Sequence, residues 1–265
     1  MEVYSDWVVF LNDRSFPILH SLTIRTWPGD PPMIRWCTFR TMPELRSLRA
    51  SSLSMDALPS NIFPALRALD LYSVESDCII RNTSHSLTSL MLGRISYQYT
   101  STSLEFPSLR YLSLYEVQNI KHRMNVPALT TYHESGRTVE ESFSTSLPLL
   151  IEYGIHRSYN GSPLNVTTLY QCYPNISRLS IRAHTSDVKR FLHSLSGQPT
   201  ALPMLRILAV GTLKDSYGEE NYSGEDKESM RNDVFMRNMA SSVRMELCFD
   251  GMVRVPIYFG DDVRV

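Results

Sequence analysis

Apolar residues in this chain recur in a fixed order: an apolar residue, a proline, then leucine or an equivalent two, five and usually seven positions later. The order reads Phe16-Pro17 with Leu19, Leu22 and Ile24; Met42-Pro43 with Leu45 and Leu48; and Phe63-Pro64 with Leu66, Leu69 and Leu71. It returns at Phe106-Pro107 with Leu109, Leu112 and Leu114, and at Leu202-Pro203 with Leu205, Leu208 and Val210. With the weaker copies there are nine, anchored at Pro17, Pro43, Pro64, His85 (in the proline slot), Pro107, Pro127, Pro148, Pro174 and Pro203. The slot five after the anchor is leucine except at Tyr132 and Tyr153, and Ala50 and Glu134 are the weak members of the slot seven after it. Apolar residues alternating over the last two slots predict a short strand with one buried face.

Successive anchors are roughly 20–29 residues apart, a period typical of stacked repeats. A unit of this length cannot bury its own apolar face and must stack on its neighbours. About twelve or more residues between strands suffice for a return crossover and are too many for a hairpin. An antiparallel sandwich would instead carry turn signals every ~8–12 residues. The expectation is therefore an α/β fold: a leucine-rich-repeat solenoid, arc or horseshoe, with a parallel sheet on the concave face and short helices or loops on the convex face. Proline lacks an N–H and holds the preceding residue extended, which suits it to the first residue of each strand.

One domain is expected over 1–265, with an N-terminal cap over 1–15 that includes a helix over 5–11. Nine repeats fill 16–213, an acidic loop 214–228, and a cap of helix and strand 229–265. Among the crossovers, Val188, Phe191, Leu192 and Leu195 recur at helical spacing between Ser186-Asp187 and Gly197. In the cap a helix from about Lys227 to Ala240 is followed by alternation at Val243, Met245, Leu247 and Phe249. Asp250-Gly251 suits a hairpin turn, and Val253, Val255, Ile257 and Phe259 a last strand that Pro256 confines to an edge.

Charge narrows the classes of partner. The 26 basic and 27 acidic side chains give a net charge of −1, so no global field draws the chain to nucleic acid or anionic lipid. The apolar run Trp7 to Leu11 is too short for a signal peptide, and no stretch matches a membrane span of about 20 residues. Cys37, Cys78, Cys172 and Cys248 form no CxxC pair and fit thiols in a reducing compartment. Asn82, Asn160, Asn165, Asn175 and Asn221 head glycosylation-type triplets, read as coincidence in a chain expected to be intracellular. No phosphate-binding glycine loop, nucleophile elbow, HExxH or paired-cysteine signature occurs, so neither an enzyme nor a cofactor is expected.

In six of the nine repeats the residue ten after the anchor is also apolar, as Trp27, Leu53, Val74, Ile95, Val117 and Leu213. The resulting (F/L)P-x-L-x-x-L-x-L-x-x-(V/I) pattern resembles the leucine-rich region of basidiomycete F-box proteins, over about residues 10–250. The segment Met230 to Phe249 is similar to that family's C-terminal end, whereas repeats with Asn or Cys at the tenth position are not matched. The resemblance implies an intracellular, non-catalytic module that recognises a protein and, through an F-box, presents it to a cullin–RING ubiquitin ligase. The F-box opens with a Leu-Pro-x-Glu-type motif; residues 1–40 hold none, and Leu58-Pro59-Ser60-Asn61 carries only its first two letters. A ligase adaptor is thus an expected partner only where an F-box lies upstream. A truncated or degenerate paralogue without a ligase role is the alternative, to which Tyr132 and Glu134 in the weak sixth repeat point.

The outward positions of the predicted strands supply the candidate partner-binding residues: Arg49, Asp70, Tyr72, Met91, Tyr111, Tyr115, His133, His156, Arg178 and Arg182, with Arg25 and Glu152 beside them. Tyrosine and arginine combine large contact area with polar handles and concentrate at interface hot spots. Tyr72, Tyr111 and Tyr115 fall in the middle repeats, where a partner would centre. Strand positions favour aromatics for structural reasons too. His133 and His156 are expected on one face and close together, which admits a metal or enzymatic site; two surface histidines are the plainer reading. Arg46, Arg67, Arg110 and Arg206, each three after an anchor, read as stems covering apolar surface, or else as a basic rail.

Overall fold

Proline fixes φ at about −65°, which suits the second position of a β-turn. In seven of the proline turns the residue before the proline accepts a hydrogen bond from the N–H two residues after it. Leu19 donates to Phe16 (3.2 Å), Leu45 to Met42 (3.1 Å), Leu66 to Phe63 (3.2 Å), Leu150 to Leu147 (3.2 Å) and Leu205 to Leu202 (3.0 Å). The strands begin only afterwards, at Ser21, Ser47 and Ala68 in the first three repeats. The expected placement of proline as the first strand residue is corrected. It forms the corner before the strand, where its missing N–H removes no rung.

A computed structural model describes residues 1–4, 14–25, 42–50, 62–72, 78–93, 103–117, 120–136, 143, 147–157, 165–211, 214–215, 218–219 and 222–249. They divide between two compact units, one built on Met1–Ala128 and the other on Leu129–Ser142 and Ser146–Val255. In both, parallel strands stack in chain order, so the architecture is a solenoid with few helices.

The first unit contains β1 (Glu2–Tyr4), β2 (Ser21–Arg25), β3 (Ser47–Ala50), β4 (Ala68–Tyr72), helix α1 (Cys78–Thr83), β5 (Ser89–Gly93), β6 (Leu104–Glu105), β7 (Tyr111–Tyr115) and β8 (Met124–Asn125). Strands β1, β2, β3, β4, β5 and β7 pair in that order, all parallel. Register brings Leu22, Leu48, Leu69, Leu90 and Leu112 into one row, and Ile24, Ala50, Leu71, Leu92 and Leu114 into the next. No member of either row is more than 2% exposed. Burying such side chains is worth about 1.5–3 kcal/mol each, and only one register keeps every row inside. On the return path β6 pairs with β8. Strand β1 was not anticipated in the N-terminal cap; the helix expected over 5–11 lies outside the described residues.

The second unit contains β9 (Thr131–Gly136), β10 (Glu152–Arg157), α2 (Val166–Cys172), β11 (Arg178–Arg182), α3 (Thr185–Ser196), β12 (Ile207–Gly211), β13 (Lys214–Asp215), β14 (Gly218–Glu219), α4 (Gly224–Ala240) and β15 (Glu246–Phe249). Strands β9, β10, β11, β12 and β15 pair in parallel. Helix α3 buries Val188, Phe191, Leu192 and Leu195, the stripe read from the chain.

The expected acidic loop over 214–228 is corrected. Its end belongs to α4, because Ser223 Oγ accepts from Asp226 N (3.0 Å) while the Asp226 carboxylate accepts from Ser223 N (3.3 Å), a capping box. Its start folds as β13 paired antiparallel with β14. Helix α4 is tied down by fully buried Arg237, which donates to the carbonyls of Leu202 (3.0 Å) and Val243 (3.3 Å). Leu202 holds φ at 49°, a left-handed conformation costly for a residue with a Cβ, so Arg237 braces a strained corner. The final hairpin and strand expected over 250–259 lie outside the described residues.

One backbone device repeats through both units. In seven of the nine repeats the carbonyl three residues after the anchor accepts two N–H groups from the following repeat. His20 accepts from Arg46 (2.9 Å) and Ser47 (3.1 Å), and Arg46 from Arg67 (2.9 Å) and Ala68 (2.9 Å). Thr130 likewise accepts from Ile151 (2.9 Å) and Glu152 (3.1 Å), and Ser177 from Arg206 (2.9 Å) and Ile207 (3.1 Å). The recurring arginines at this position contribute their backbone to that ladder, and the side chains of Arg46, Arg67, Arg110 and Arg206 are exposed. Arg67 Nη1 reaches forward to the Ser86 carbonyl (2.9 Å).

Candidate functional site

Alternate strand residues point to opposite faces, so the face away from the leucine ladder carries the predicted site. In the first unit Arg49 stands opposite Asp70 on β3 and β4, and its Nε lies 2.5 Å from Asp70 Oδ2. Burial raises the Asp70 carboxyl above its usual range, and Arg49 offsets part of that shift. Arg25 pairs with Glu2 at 2.6 Å. The cations of β2 and β3 are thus each matched by a carboxylate.

Tyr72 and Tyr115 occupy the same position in β4 and β7, with Gly93 of β5 between them in register. Strands two apart are separated by about 9.6 Å, yet the ring centroids are 6.2 Å apart and tilted by 37°. Gly93 puts no side chain between the rings, so they close over it. Met91 sits on the same face of β5 and Tyr111 on that of β7, and all four side chains are half-buried. The three tyrosines singled out from the chain do share one surface.

In the second unit His133 stands opposite Gly154. A Cβ at Gly154 would lie 2.7 Å from His133 Nδ1, so the glycine is what lets the imidazole lie flat on β10. The expectation that His133 is a surface histidine is corrected: its side chain is 8% exposed. His133 Nε2 is 3.6 Å from Glu152 Oε1. Its hydrogen bonding holds the Glu152 carboxyl below the usual range against the opposing effect of burial. His156 faces Ser135, diagonal to His133 rather than opposite it. Among the described residues no three His, Cys, Asp or Glu side chains are grouped to hold a metal ion.

Next to these positions β11 presents Arg178, exposed, and Arg182, half-buried, with Ser180 between them. Among the described residues neither guanidinium makes a hydrogen bond or an ion pair within 4 Å. Register places Gly154 and Ala209 on either side of Ser180. Arg182 lies beside Gly211, its Nε 3.6 Å from where a Cβ would stand.

On the buried face of β9 sits a constellation that sequence reasoning took for a lapse in the repeat. Glu134 fills a ladder slot and is 8% exposed. It accepts hydrogen bonds from Tyr132 Oη (2.7 Å) and from Tyr153 Oη, the tyrosines that replace leucine in two consecutive repeats. The Tyr132 and Tyr153 rings stack at 5.5 Å, and Tyr173 packs on Tyr153 at 4.7 Å. Burial first, and then the Glu134 charge, push the Tyr153 and Tyr173 hydroxyls well above the usual tyrosine range. The signal was present in the chain: the two non-leucines at the fifth slot and the carboxylate at the seventh fall in consecutive repeats, between Tyr132 and Tyr153.

No helix among the described residues is long and apolar enough to cross a membrane. No family model matches the chain, and neither a curated protein nor a solved structure was found similar to it.

Proposed function

We propose that this chain is a leucine-rich-repeat module that binds a protein partner on the sheet face opposite its ladder and catalyses no reaction. The observation that carries the reading is the tyrosine pair closed over Gly93, with Met91 and Tyr111 beside it. Half-buried tyrosines bring large amphipathic area at little entropic cost, and rings already in contact lose less freedom when a partner covers them. The neighbouring Arg49–Asp70 pair leaves this surface without a strong field, which suits a contact led by aromatic area. Anchors spaced as such repeats are, and strands in one parallel register, support the leucine-rich-repeat assignment.

By the resemblance to fungal F-box proteins, the partner would be a ubiquitination substrate wherever an F-box accompanies these repeats, inside the cell. The alternative of a degenerate paralogue leaned on Tyr132 and Glu134. Their hydrogen bonding to one another is instead consistent with a sixth repeat that keeps its core.

Affinity capture with the wild type and with the Tyr72→Ala/Tyr111→Ala/Tyr115→Ala variant tests the reading. The variant is expected to lose partners that the wild type retains, at an unchanged circular dichroism spectrum. Equal recovery from both would overturn the assignment of this face. A cullin–RING adaptor in the wild-type capture supports the ligase role, and a partner-rich capture without one favours a free-standing interaction module.

A further inference from the structure

The cations on the outward face are not all in the same state. Arg25 and Arg49 are matched by Glu2 and Asp70, whereas Arg178 and Arg182 of β11 have no carboxylate within 4 Å among the described residues. They stand at the two ends of one strand, on one face, about 13 Å between their backbones. That separation lets two long side chains converge on a group seated between them. Between them stands Ser180, 8% exposed and without a side-chain hydrogen bond among the described residues. In register it is flanked by Gly154, which the His133 ring covers, and by Ala209, which carries only a methyl group. Strand β11 thus offers two arginine side chains on one face with small residues between and beside them.

The charged groups facing it from adjacent strands favour an anion. Glu152 of β10 is beside Arg178 but lies against His133, and the Arg178 charge is the least of the influences on its carboxyl. Glu246 of β15 stands beyond Ile207, a strand further away. His156 of β10 faces Arg182 and adds positive charge when protonated. Guanidinium groups not already held by a carboxylate need break no ion pair to take up a ligand. Their planar forks match a carboxylate or phosphoryl group with two parallel hydrogen bonds. Two arginines in a chain of net charge −1 do not make the extended basic track that nucleic acid requires.

We propose that the Arg178–Arg182 pair on the outward face of β11 binds an acidic segment of a protein partner, a carboxylate or phosphoryl group seating between the guanidinium groups. The proposal deepens the protein-binding reading above and rests on it.

Fluorescence anisotropy of the full chain tests it with four labelled probes: hexaglutamate, a neutral peptide bearing one phosphoserine, hexalysine and a hexathymidine oligonucleotide. At least one of the first two is expected to bind, less tightly as salt is raised. Arg178→Glu/Arg182→Glu, with an unchanged circular dichroism spectrum, is expected to weaken it at least tenfold. The Tyr72→Ala/Tyr111→Ala/Tyr115→Ala variant is expected to bind it as the wild type does. Preference between the first two probes identifies the anionic group. Binding of neither, binding unaffected by the arginine variant, or tighter binding of hexalysine or the oligonucleotide would overturn the proposal. If the peptides fail while tyrosine-dependent capture persists, only the arginine site is lost; if they bind while capture fails, the tyrosine surface is lost.

Discussion

Replacing Tyr153 with phenylalanine isolates one hydroxyl donated to the buried Glu134 carboxylate. The ring keeps its stacking on Tyr132 and Tyr173, so no cavity opens and the loss is almost purely polar. Leaving a buried charged acceptor short of a donor costs about 1.5–3 kcal/mol. Glu134→Leu installs the residue other repeats use at this slot. On its own it strands the hydroxyls of Tyr132 and Tyr153, at about 1–3 kcal/mol each. The triple variant Tyr132→Phe/Glu134→Leu/Tyr153→Phe removes both sides of the network and leaves apolar groups of similar shape. It is expected within about 1 kcal/mol of the wild type, or above it, because swapping a buried polar set for packed apolar groups is often neutral or stabilising. Urea unfolding followed by circular dichroism measures all four chains, with the slope of the transition checked for constancy. The expected signature is strong non-additivity: damaging single changes that cancel when combined. If the triple variant instead loses the sum of the single effects, the carboxylate and hydroxyls do not sustain one another and the account of this core is wrong.

Alkali should unfold the protein early. The folded state holds the Tyr153 and Tyr173 hydroxyls protonated well above the usual range, while the unfolded chain ionises both from about pH 10. Below that pH their contribution is fully present; above it the unfolded state binds fewer protons, and stability falls by up to about 1.4 kcal/mol per pH unit for each tyrosine. Urea midpoints that stay level between about pH 8 and pH 11 would contradict this. Gly154→Ala should cost about 1–3 kcal/mol by pushing its methyl group against the His133 ring. Adding His133→Ser should recover most of that loss in a thermal melt, and an identical loss in both backgrounds would show that the ring is not the obstacle.

The leucine ladder was legible because its period is written in every repeat, and a strand with one buried face tolerates a single register. The chemistry of exceptions was harder to read. Glu134 is explained by a hydroxyl one repeat further along the chain, and the burial of His133 by a glycine across the next strand. Both are long-range pairings that no local pattern marks. The corner role of proline was missed because a turn's second position and a strand's first residue both accommodate its fixed φ. The capping box of α4 was readable in Ser223-x-x-Asp226, but the acidic residues around it suggested a solvated loop. The outward tyrosines were anticipated by strand alternation; that two of them touch depends on Gly93, which matters only once β4, β5 and β7 are side by side.

The doubly occupied carbonyl that follows most corners has a consequence for how such a chain changes over generations. Because successive coils are latched at that atom, what lies between two latches can lengthen or shorten without shifting a single neighbour, as the uneven spacing of the anchors demonstrates. Whole coils can accordingly be copied or deleted like links, altering the length of the sheet while those that remain keep their fit.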